Sequence, residues 1–393
     1  MIAAGTAAKN NNDVVLFEKK NRVGRKLMIT GKGRCNITSA KGIQEMIENI
    51  PVNSNFLYSA FYTFSNEQLI RLLDDLGLKT KVERGDRIFP VSDRARDVVD
   101  TLKKYLLKNG ARIINKEIID LTHKEDNYIL TLNNGNKIIS EKVIIATGGK
   151  SYPKTGSTGD GYKFAKKLGH TISKIYPSLV PLVTEEDWVI EVQGLSLKHI
   201  DLSVFNKNKE EIFKERGEMI FTHFGLSGPL VLSASSHMRD MANDKYKISL
   251  DLKPALSHEK LDLRIQRDFA KYSNKYFKNS LGDLLPSKLI PIFIKFSEID
   301  YDKTVNQITR SERRNLVNLF KNLELHVKNY RPIEEAIVTS GGVNVDEIDP
   351  GTMESKLNKG LYFAGEVIDV DGYTGGFNLQ IAFSTGYLAG LSV

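Results

Sequence analysis

The residues most able to do chemistry lie in glycine-rich segments that also carry charge. Residues 24–36 (GRKLMITGKGRCN) place glycines among basic side chains, and no acid occurs from residue 19 through residue 44. Glycine lets the backbone approach a phosphate closely, and arginine or lysine can neutralise the phosphate charge. The segment therefore predicts a phosphate site, although a flexible basic loop without a ligand is the alternative. Its candidate residues are Arg25, Lys26, Gly31, Gly33, Arg34, Cys35 and Asn36.

A second segment, residues 360–390, has the pattern of a strand, a glycine-rich loop and a helix. It brings Gly365, Glu366 and Asp369 to the end of the strand, and Gly376 precedes the helix. A helix N-terminus presents free N–H groups and a partial positive charge, which would favour the anionic reduced form of a flavin at its pyrimidine end. A strand–helix turn required only by packing is the alternative. The helix would begin with Phe377, Asn378, Leu379 and Gln380.

Two further strand ends suit a dinucleotide. Glu18 closes a short apolar strand at residues 13–18, where the acid of a dinucleotide fold hydrogen-bonds a ribose, although a solvated loop acid is the simpler interpretation. The strand at residues 142–147 ends in two glycines, which permit a ligand to approach the backbone. The residues at that end are Ala146, Thr147, Gly148 and Gly149.

The sequence offers weak candidates for a catalytic acid or base. His223 is a candidate general acid, with a buried structural histidine as the alternative, and Arg87 is a second catalytic candidate. Ser227 is not surrounded by the GxSxG pattern, so a hydrolase triad is unsupported. Cys35 is the single cysteine, which excludes an internal disulfide and a cysteine-based zinc site. We expect no metal centre.

Length and composition place these segments in a globular protein of several domains. The 393 residues suggest two or three domains, and 41% hydrophobic with 26% charged residues exclude disordered and fibrous classes. The apolar runs are far shorter than the ~18 residues of a membrane helix, and residues 1–8 lack the basic region and cleavage site of a signal peptide. We therefore expect a cytoplasmic protein without membrane contact, and the sequence leaves its oligomeric state open.

The net charge of +8 is concentrated near one end of the chain. Residues 1–44 hold nine basic residues and two acids and so contribute +7. A nucleic-acid surface usually spreads lysine and arginine over a domain face, so we favour a local phosphate site with a small-molecule substrate and expect no nucleic-acid partner. The lysine-rich stretch around residues 253–303 leaves RNA as an alternative, although acids are interspersed there.

The order of elements predicts a discontinuous α/β domain. Strand–helix units with glycine-rich turns lie at both ends of the chain, whereas residues 182–252 have short alternating β-like segments and residues 257–322 have mostly helical spacing. The middle of the chain is therefore expected to be an insertion built from a β unit and a helical unit.

Taken together, the motifs resemble those of one known group. The matching stretches include NRVGRKLMITGKGRCNIT, ATGGKSYPKTGSTGDGY, FTHFGLSGP and GLYFAGEVIDVDGYTGGFNLQIAFSTG, in order along the whole chain. On these residues the sequence resembles the BaiN/RdsA-like flavoproteins, also called YhiN-like NAD(P)/FAD-dependent oxidoreductases. The combination of GKGRCN with GYTGGFNLQ is specific to that resemblance.

The resemblance implies a fold of three parts. A Rossmann-like, three-layer FAD-binding domain would be interrupted by a β-barrel, which is itself interrupted by a small helical insert. The expected boundaries are residues 1–183 and 345–393 for the FAD-binding domain, 184–256 and 323–344 for the barrel, and 257–322 for the helical insert.

The resemblance also implies a role for each candidate residue. The adenosine half would be bound by Glu18, by the backbone of Ile118, and by Thr147 and Gly148. The flavin and pyrophosphate region would be lined by Arg25, Lys26, Gly33, Arg34 and Asn36. Gly365, Glu366 and Asp369 would hold the ribitol and pyrophosphate, and Phe377, Asn378, Leu379 and Gln380 would meet the isoalloxazine.

The implied activity is the reduction of an organic acceptor such as a conjugated enone, with FAD as cofactor and transiently bound NAD(P)H as electron donor. A flavoprotein that acts on or binds RNA is the alternative. The family begins with a strand and a GGGPxG turn upstream of the stretch matched by residues 1–10, and neither is in this sequence. We therefore expect either a start assigned too far downstream or a truncated chain that no longer binds FAD.

Overall fold

The structure is a computed structural model that describes residues 1–239, 241 and 244–393. It divides into two compact units. The first unit is formed by residues 1–178 and 332–393, and the second by residues 179–331. The second unit is therefore an insertion into the chain of the first.

The amino-terminal part of the first unit alternates helices with short strands. In chain order it contains α1 (Ile2–Lys9), β1 (Val15–Phe17), α2 (Arg25–Ile29), β2 (Thr38–Ser39), α3 (Ile43–Glu48), α4 (Tyr58–Thr63), α5 (Asn66–Asp75), β3 (Thr80–Glu83), β4 (Arg87–Pro90), α6 (Ala95–Lys108), β5 (Arg112–Ile114), β6 (Ile118–Lys124), β7 (Asn127–Leu132), β8 (Lys137–Ser140), β9 (Val143–Ile145), α7 (Asp160–Lys167) and β10 (Tyr176–Ser178).

The second unit combines strands with a group of helices, and the chain then returns to the first unit. The second unit contains β11 (Leu182–Thr184), β12 (Ser196–Phe205), β13 (Glu211–Thr222), β14 (Gly225–Ser227), α8 (Pro229–Ser235), β15 (Tyr246–Asp251), α9 (His258–Lys271), α10 (Ile290–Ser297), α11 (Arg310–Lys321) and β16 (Leu323–Tyr330). The return contains β17 (Val338–Ser340), β18 (Leu361–Phe363) and α12 (Phe377–Ser392).

Parallel strand pairs form the centre of the first unit. β1 pairs with β5, and β9 pairs with β18. Their short apolar sequences suit strands that are covered by helices, and α12 is buried along most of its length. An antiparallel sheet of β2, β4 and β3 and a meander of β6, β7 and β8 complete this α/β unit.

A ribbon of β10 and β17 lies where the chain leaves and re-enters the first unit. The two strands are antiparallel, with Ser178 opposite Val338. Asp371 is buried and accepts hydrogen bonds from the hydroxyls of Ser178 and Ser340, each at 2.8 Å. The loop that precedes α12 is thereby bonded to both strands of the ribbon.

The core of the second unit is a closed barrel with strand order β11-β14-β13-β12-β15-β16. Alternate residues of its strands point inward; on β15, for example, Tyr246, Ile248 and Leu250 are buried. Helices α9, α10 and α11 contribute apolar side chains to the same core. The described residues contain no helix long and apolar enough to cross a membrane.

The predicted fold class is confirmed, because a Rossmann-type α/β unit and a closed six-stranded barrel are both present. Residues 112–124 hold two strands, since β5 pairs in parallel with β1 whereas β6 pairs antiparallel with β7. The boundaries of the five predicted domain segments stay predictions.

Candidate functional site

A polar cluster joins the basic segment to the two glycine-rich strand ends. The Lys26 ammonium donates to Glu366 Oε2 at 2.6 Å and to the Ser151 hydroxyl at 2.8 Å. The other carboxylate oxygen, Glu366 Oε1, accepts from the Thr339 backbone N–H at 2.8 Å. Residues 24–29, 149–151 and 365–367, which are far apart in sequence, are therefore held together by one carboxylate.

The close packing around Glu366 explains why Gly149 follows the strand. A Cβ at this position would lie 2.4 Å from Thr339 Oγ1 and 2.8 Å from Glu366 Oε1, which is closer than real contacts allow. Gly148 has a φ of 72°, a left-handed conformation that favours glycine. Ala146 and Thr147 are exposed beside them. Packing against Thr339 and Glu366 thus requires a glycine at position 149, and the approach of a ligand to this pair stays a prediction.

The turn at residues 31–35 has an unusual run of left-handed backbone. Gly31, Lys32, Gly33 and Cys35 all have positive φ, and two of these residues carry side chains. A Cβ at Gly33 would have no heavy atom within 4 Å, so the space beside it is open. Strained backbone of this kind is concentrated at ligand sites, which agrees with the glycine pattern that predicted a phosphate site.

Arg34 is held in place by two acids that the sequence did not single out. Its guanidinium donates to the Glu83 carboxylate and, from Nε, to Asp93 Oδ1 at 2.8 Å. Lys81 also donates to Asp93, at 2.6 Å, and the hydrogen bonds from Lys81 and Arg34 lower the pKa of Asp93. The Arg34 hydrogen bond likewise lowers the pKa of Glu83. Arg34 stacks 4.2 Å from the centre of the Phe89 ring. Because its charge is compensated, Arg34 fixes the turn more than it neutralises a phosphate.

Arg25 and Asn36 remain available to a ligand. Arg25, the first residue of α2, is half-buried, and no carboxylate of the described residues lies within 4.0 Å of it. Asn36 Oδ1 is buried and has no hydrogen-bond partner in the described part of the chain. A buried acceptor without a donor is costly. Arg25 is therefore suited to bind an anionic group such as a pyrophosphate, and Asn36 Oδ1 is suited to accept a hydrogen bond from a bound nucleotide cofactor.

Cys35 lies between these residues but is fully buried, and burial raises the pKa of its thiol to about 12. A protonated, inaccessible thiol is a poor nucleophile. Its burial in the turn agrees with a packing role for the side chain.

The N-terminus of α12 is shaped by a short loop. Gly376, the N-cap, has a φ of 103°, and a Cβ there would lie 2.4 Å from the Thr38 carbonyl carbon. The Asn378 amide closes the loop by accepting from the Gly372 N–H at 2.9 Å and donating to the Gly372 carbonyl at 2.7 Å. Phe377 is buried against this loop.

The Gln380 side chain is used inside the protein. Its Oε1 accepts from the Thr38 hydroxyl at 2.7 Å, and its Nε2 donates to the Phe64 carbonyl and the Ser384 hydroxyl. Leu379 is half-buried beside it. The contribution of this helix to a cofactor is therefore expected from the backbone N–H groups of its first turn rather than from these side chains.

The candidates for the adenosine half are spread over three strand ends. Glu18 follows β1, and its Oε1 accepts from the Lys20 N–H at 2.8 Å. Ile118 begins β6, opposite Leu132. Thr147, the third, follows β9, whereas Asp369, predicted to hold the ribitol and pyrophosphate, is half-buried after β18 and its backbone N–H donates to the Val343 carbonyl. Their assignment to FAD stays a prediction.

The two catalytic candidates lie in different units. His223 is exposed in the turn between β13 and β14, with its ring 4.9 Å from that of Phe224. It is therefore not a buried structural histidine. Arg87 begins β4 in the first unit, is exposed, and donates from Nε to the Arg84 carbonyl at 2.9 Å. Neither catalytic role follows from these contacts.

The model of a protein family described as the HI0933-like protein Rossmann domain matches residues 1–392. The chain belongs to this family. The resemblance drawn from the motifs is confirmed, and the HI0933-like family is one of FAD-dependent oxidoreductases. The described residues contain no cluster of three or more side chains suited to a metal ion.

Three curated proteins are similar to this HI0933-like chain over nearly their whole length. The 3-dehydro-bile acid delta(4,6)-reductase of Clostridium scindens is 28% identical, covering 99% of this chain and 95% of that protein. The ribosomal RNA dihydrouridine synthase of Escherichia coli is 30% identical, covering 98% and 93%. The protein of the same name from Haemophilus influenzae is 28% identical, covering 100% and 95%.

Proposed function

We propose that this chain binds FAD and uses electrons from NAD(P)H to reduce a C=C bond that is conjugated to a carbonyl group. Support comes from the relatives, whose names describe a bile-acid reductase and dihydrouridine synthases. A conjugated dienone and the 5,6 bond of uracil are both C=C bonds activated by a carbonyl. One hydride and one proton saturate either bond, and NAD(P)H is oxidised to NAD(P)⁺.

The observation that carries the cofactor assignment is a pair of polar groups beside the strained turn, a guanidinium without a carboxylate partner and a buried amide oxygen without a hydrogen-bond donor. The half-buried Arg25 guanidinium would neutralise the pyrophosphate, and Asn36 Oδ1 would receive a hydrogen bond. Glu18 would bind the adenosine ribose, and the residues around Glu366 would hold the ribitol. When bound, the flavin supplies hydride transfer, while the protein supplies position and electrostatics.

Two groups of residues and one helix N-terminus would prepare the site before the cofactor binds. Lys26 and Thr339 fix the Glu366 carboxylate, and Asn378 holds the loop at the start of α12. The partial positive charge of that helix N-terminus would stabilise negative charge on the pyrimidine half of the flavin. The residue that gives the proton is unassigned, and His223 and Arg87 are the candidates to be tested.

A spectroscopic titration tests this proposal. The purified chain is incubated with FAD, desalted, and mixed anaerobically with NADH or NADPH. We expect bound flavin to bleach with one of them and to recover its colour when a steroid-type enone or a uridine-containing RNA is added. Flavin that stays oxidised with both nicotinamides would disprove the electron donor, and a colourless protein would disprove the cofactor assignment.

A second candidate for the acceptor is a uridine in ribosomal RNA. It is favoured by the two dihydrouridine synthases among the relatives, one of which is 30% identical to this chain. The sequence instead favoured a small-molecule acceptor, in agreement with the bile-acid reductase. Comparing the recovery of flavin colour with the two acceptors, followed by analysis of dihydrouridine in the RNA, separates these alternatives.

A further inference from the structure

An exposed tyrosine is held in a strained conformation beside the candidate cofactor site. Tyr152 has φ 51° and ψ 58°, a left-handed conformation that is unfavourable for a residue with a side chain. Its carbonyl accepts from the N–H and the hydroxyl of Thr155, at 2.8 and 2.7 Å, and its N–H donates to the Glu334 carbonyl at 3.3 Å. Tyr152 as a whole residue nevertheless remains 36% exposed. The backbone bonds therefore maintain a strained turn in which a tyrosine stays accessible to solvent.

Three lysines lie in this turn or against it. Lys150 and Lys154 flank Tyr152 in the turn and are exposed. Lys20 reaches the same turn from another segment, since its Cγ lies 3.5 Å from the position of a Cβ at Gly156. None of these three lysines has a carboxylate within 4.0 Å among the described residues.

The lysine-rich helical insert holds both paired and unpaired lysines, since Lys260, Lys275 and Lys295 are exposed with no carboxylate within 4.0 Å among the described residues. Lys271 is paired with Asp283 at 2.8 Å, and Lys278 is paired with Asp302 at 2.6 Å. Ion-paired lysines have less charge to offer a polyanion. Lys271 and Lys278 are therefore a matched control for the unpaired lysines around Tyr152. Glu334, whose carbonyl accepts from the Tyr152 N–H, and Glu335 are exposed acids close to the turn.

We propose that Tyr152, Lys150, Lys154 and Lys20 form a contact surface for single-stranded RNA, in which the tyrosine ring stacks on a base and the lysines bind phosphates. Exposed aromatic rings among cations are the usual platform for single strands. This inference rests on the proposed function with RNA as the acceptor.

The surface is joined directly to the candidate cofactor site. Ser151, which precedes Tyr152, is buried and accepts from Lys26 while lying 3.4 Å from Glu366 Oε1. Tyr152 thus follows directly in the chain after a residue of the cluster around Glu366, so a base stacked on Tyr152 would lie near the candidate cofactor site. The turn would serve as a positioning surface for an RNA acceptor.

Equilibrium binding of labelled oligouridylate to the FAD-loaded protein tests the role of the ring. Tyr152→Gly removes the ring but suits the left-handed backbone, so a loss of binding cannot be assigned to added strain. We expect it to weaken binding by about fivefold to a hundredfold, the range for loss of one stacked base. Tyr152→Phe keeps the ring and should bind like the unchanged protein. Equal affinity of Tyr152→Gly and the unchanged protein would overturn the proposal.

The salt dependence of the same binding tests the lysines. The double variant Lys150→Gln with Lys154→Gln should lower the slope of log affinity against log salt by about 1.4, because each phosphate contact with a single strand contributes about 0.7. The matched double variant Lys271→Gln with Lys278→Gln, which removes ion-paired lysines, should leave the slope unchanged. The opposite pattern would place the RNA surface on the insert and would refute our assignment.

Flavin content and enone reduction, measured on the same variants, separate this inference from the proposed function. Normal values for both with a changed RNA affinity support the RNA surface. A protein that reduces the enone but binds no RNA would refute the surface and leave the reductase intact. RNA binding that depends on Tyr152, without any dihydrouridine formed, would support the surface and refute uridine as the acceptor.

Discussion

Replacing Asn36 by leucine should change the stability and the FAD affinity of this protein in opposite directions. Asn36 Oδ1 is buried without a partner, and an unsatisfied buried acceptor costs about 1–3 kcal/mol. Leucine has a similar size and removes that cost, so Asn36→Leu should raise the free energy of unfolding of the cofactor-free protein by about 1 kcal/mol. With FAD bound, the same change removes a hydrogen bond worth about 1 kcal/mol, which corresponds to about fivefold weaker binding.

Urea unfolding with and without saturating FAD measures both effects, because ligand binding adds to the free energy of unfolding according to its affinity. Asn66→Leu is the matched control. Its amide donates to the Ser39 and Lys41 carbonyls at 2.7 and 3.0 Å, so its loss should destabilise the protein by about 1–3 kcal/mol in both states. If Asn36→Leu destabilised the cofactor-free protein as Asn66→Leu does, Asn36 would have a structural partner and our reasoning would be wrong.

Three further results are expected. Gly376→Ala should lower the free energy of unfolding at least twice as much as Gly77→Ala. Both glycines have positive φ, which costs a residue with a side chain about 1–2 kcal/mol, but only a Cβ at Gly376 would collide with Thr38. Equal losses of stability in urea unfolding would contradict this reasoning. Because burial raises the pKa of Cys35 to about 12, iodoacetamide should label this thiol at neutral pH only after denaturant is added, as mass spectrometry of the intact protein can show. Burial lowers the pKa of His170 below its ordinary value of 6.5, so the unfolded chain binds more protons than the folded chain just below that pH. The melting temperature should therefore fall as the pH drops below 6.5, and His170→Gln should flatten that dependence. An unchanged pH profile in the variant would show that His170 does not cause it.

The parts of the site that the sequence predicted are those encoded locally. The loop before α12 needs glycine where its backbone turns, and Gly376 has a φ of 103° there. The basic segment 24–36 shows its glycines and cations in one stretch of sequence. Both features depend on neighbouring residues, which is why a single sequence was enough to find them.

The parts that the sequence did not reveal depend on distant partners. Glu83 and Asp93, which compensate Arg34, are 49 and 59 residues away, at the end of β3 and in the loop after β4. Gln380 was expected to meet the isoalloxazine, yet Phe64 and Thr38 already occupy its amide. Only tertiary packing decides whether such a polar side chain faces a ligand or completes a network within the protein.

The ribbon of β10 and β17 has a consequence for the modular construction of the molecule. The strand that ends at the point of exit pairs with a strand that follows the point of return, and Asp371 bonds to both. The two ends of the insertion are therefore held together by strand pairing within the first unit, whatever sequence connects residues 178 and 332. Such a closed insertion point tolerates exchange, because loops and domains can be inserted where the flanking strands are already paired. A change in the length or sequence of the inserted unit should therefore leave the pairing of β10 with β17 intact.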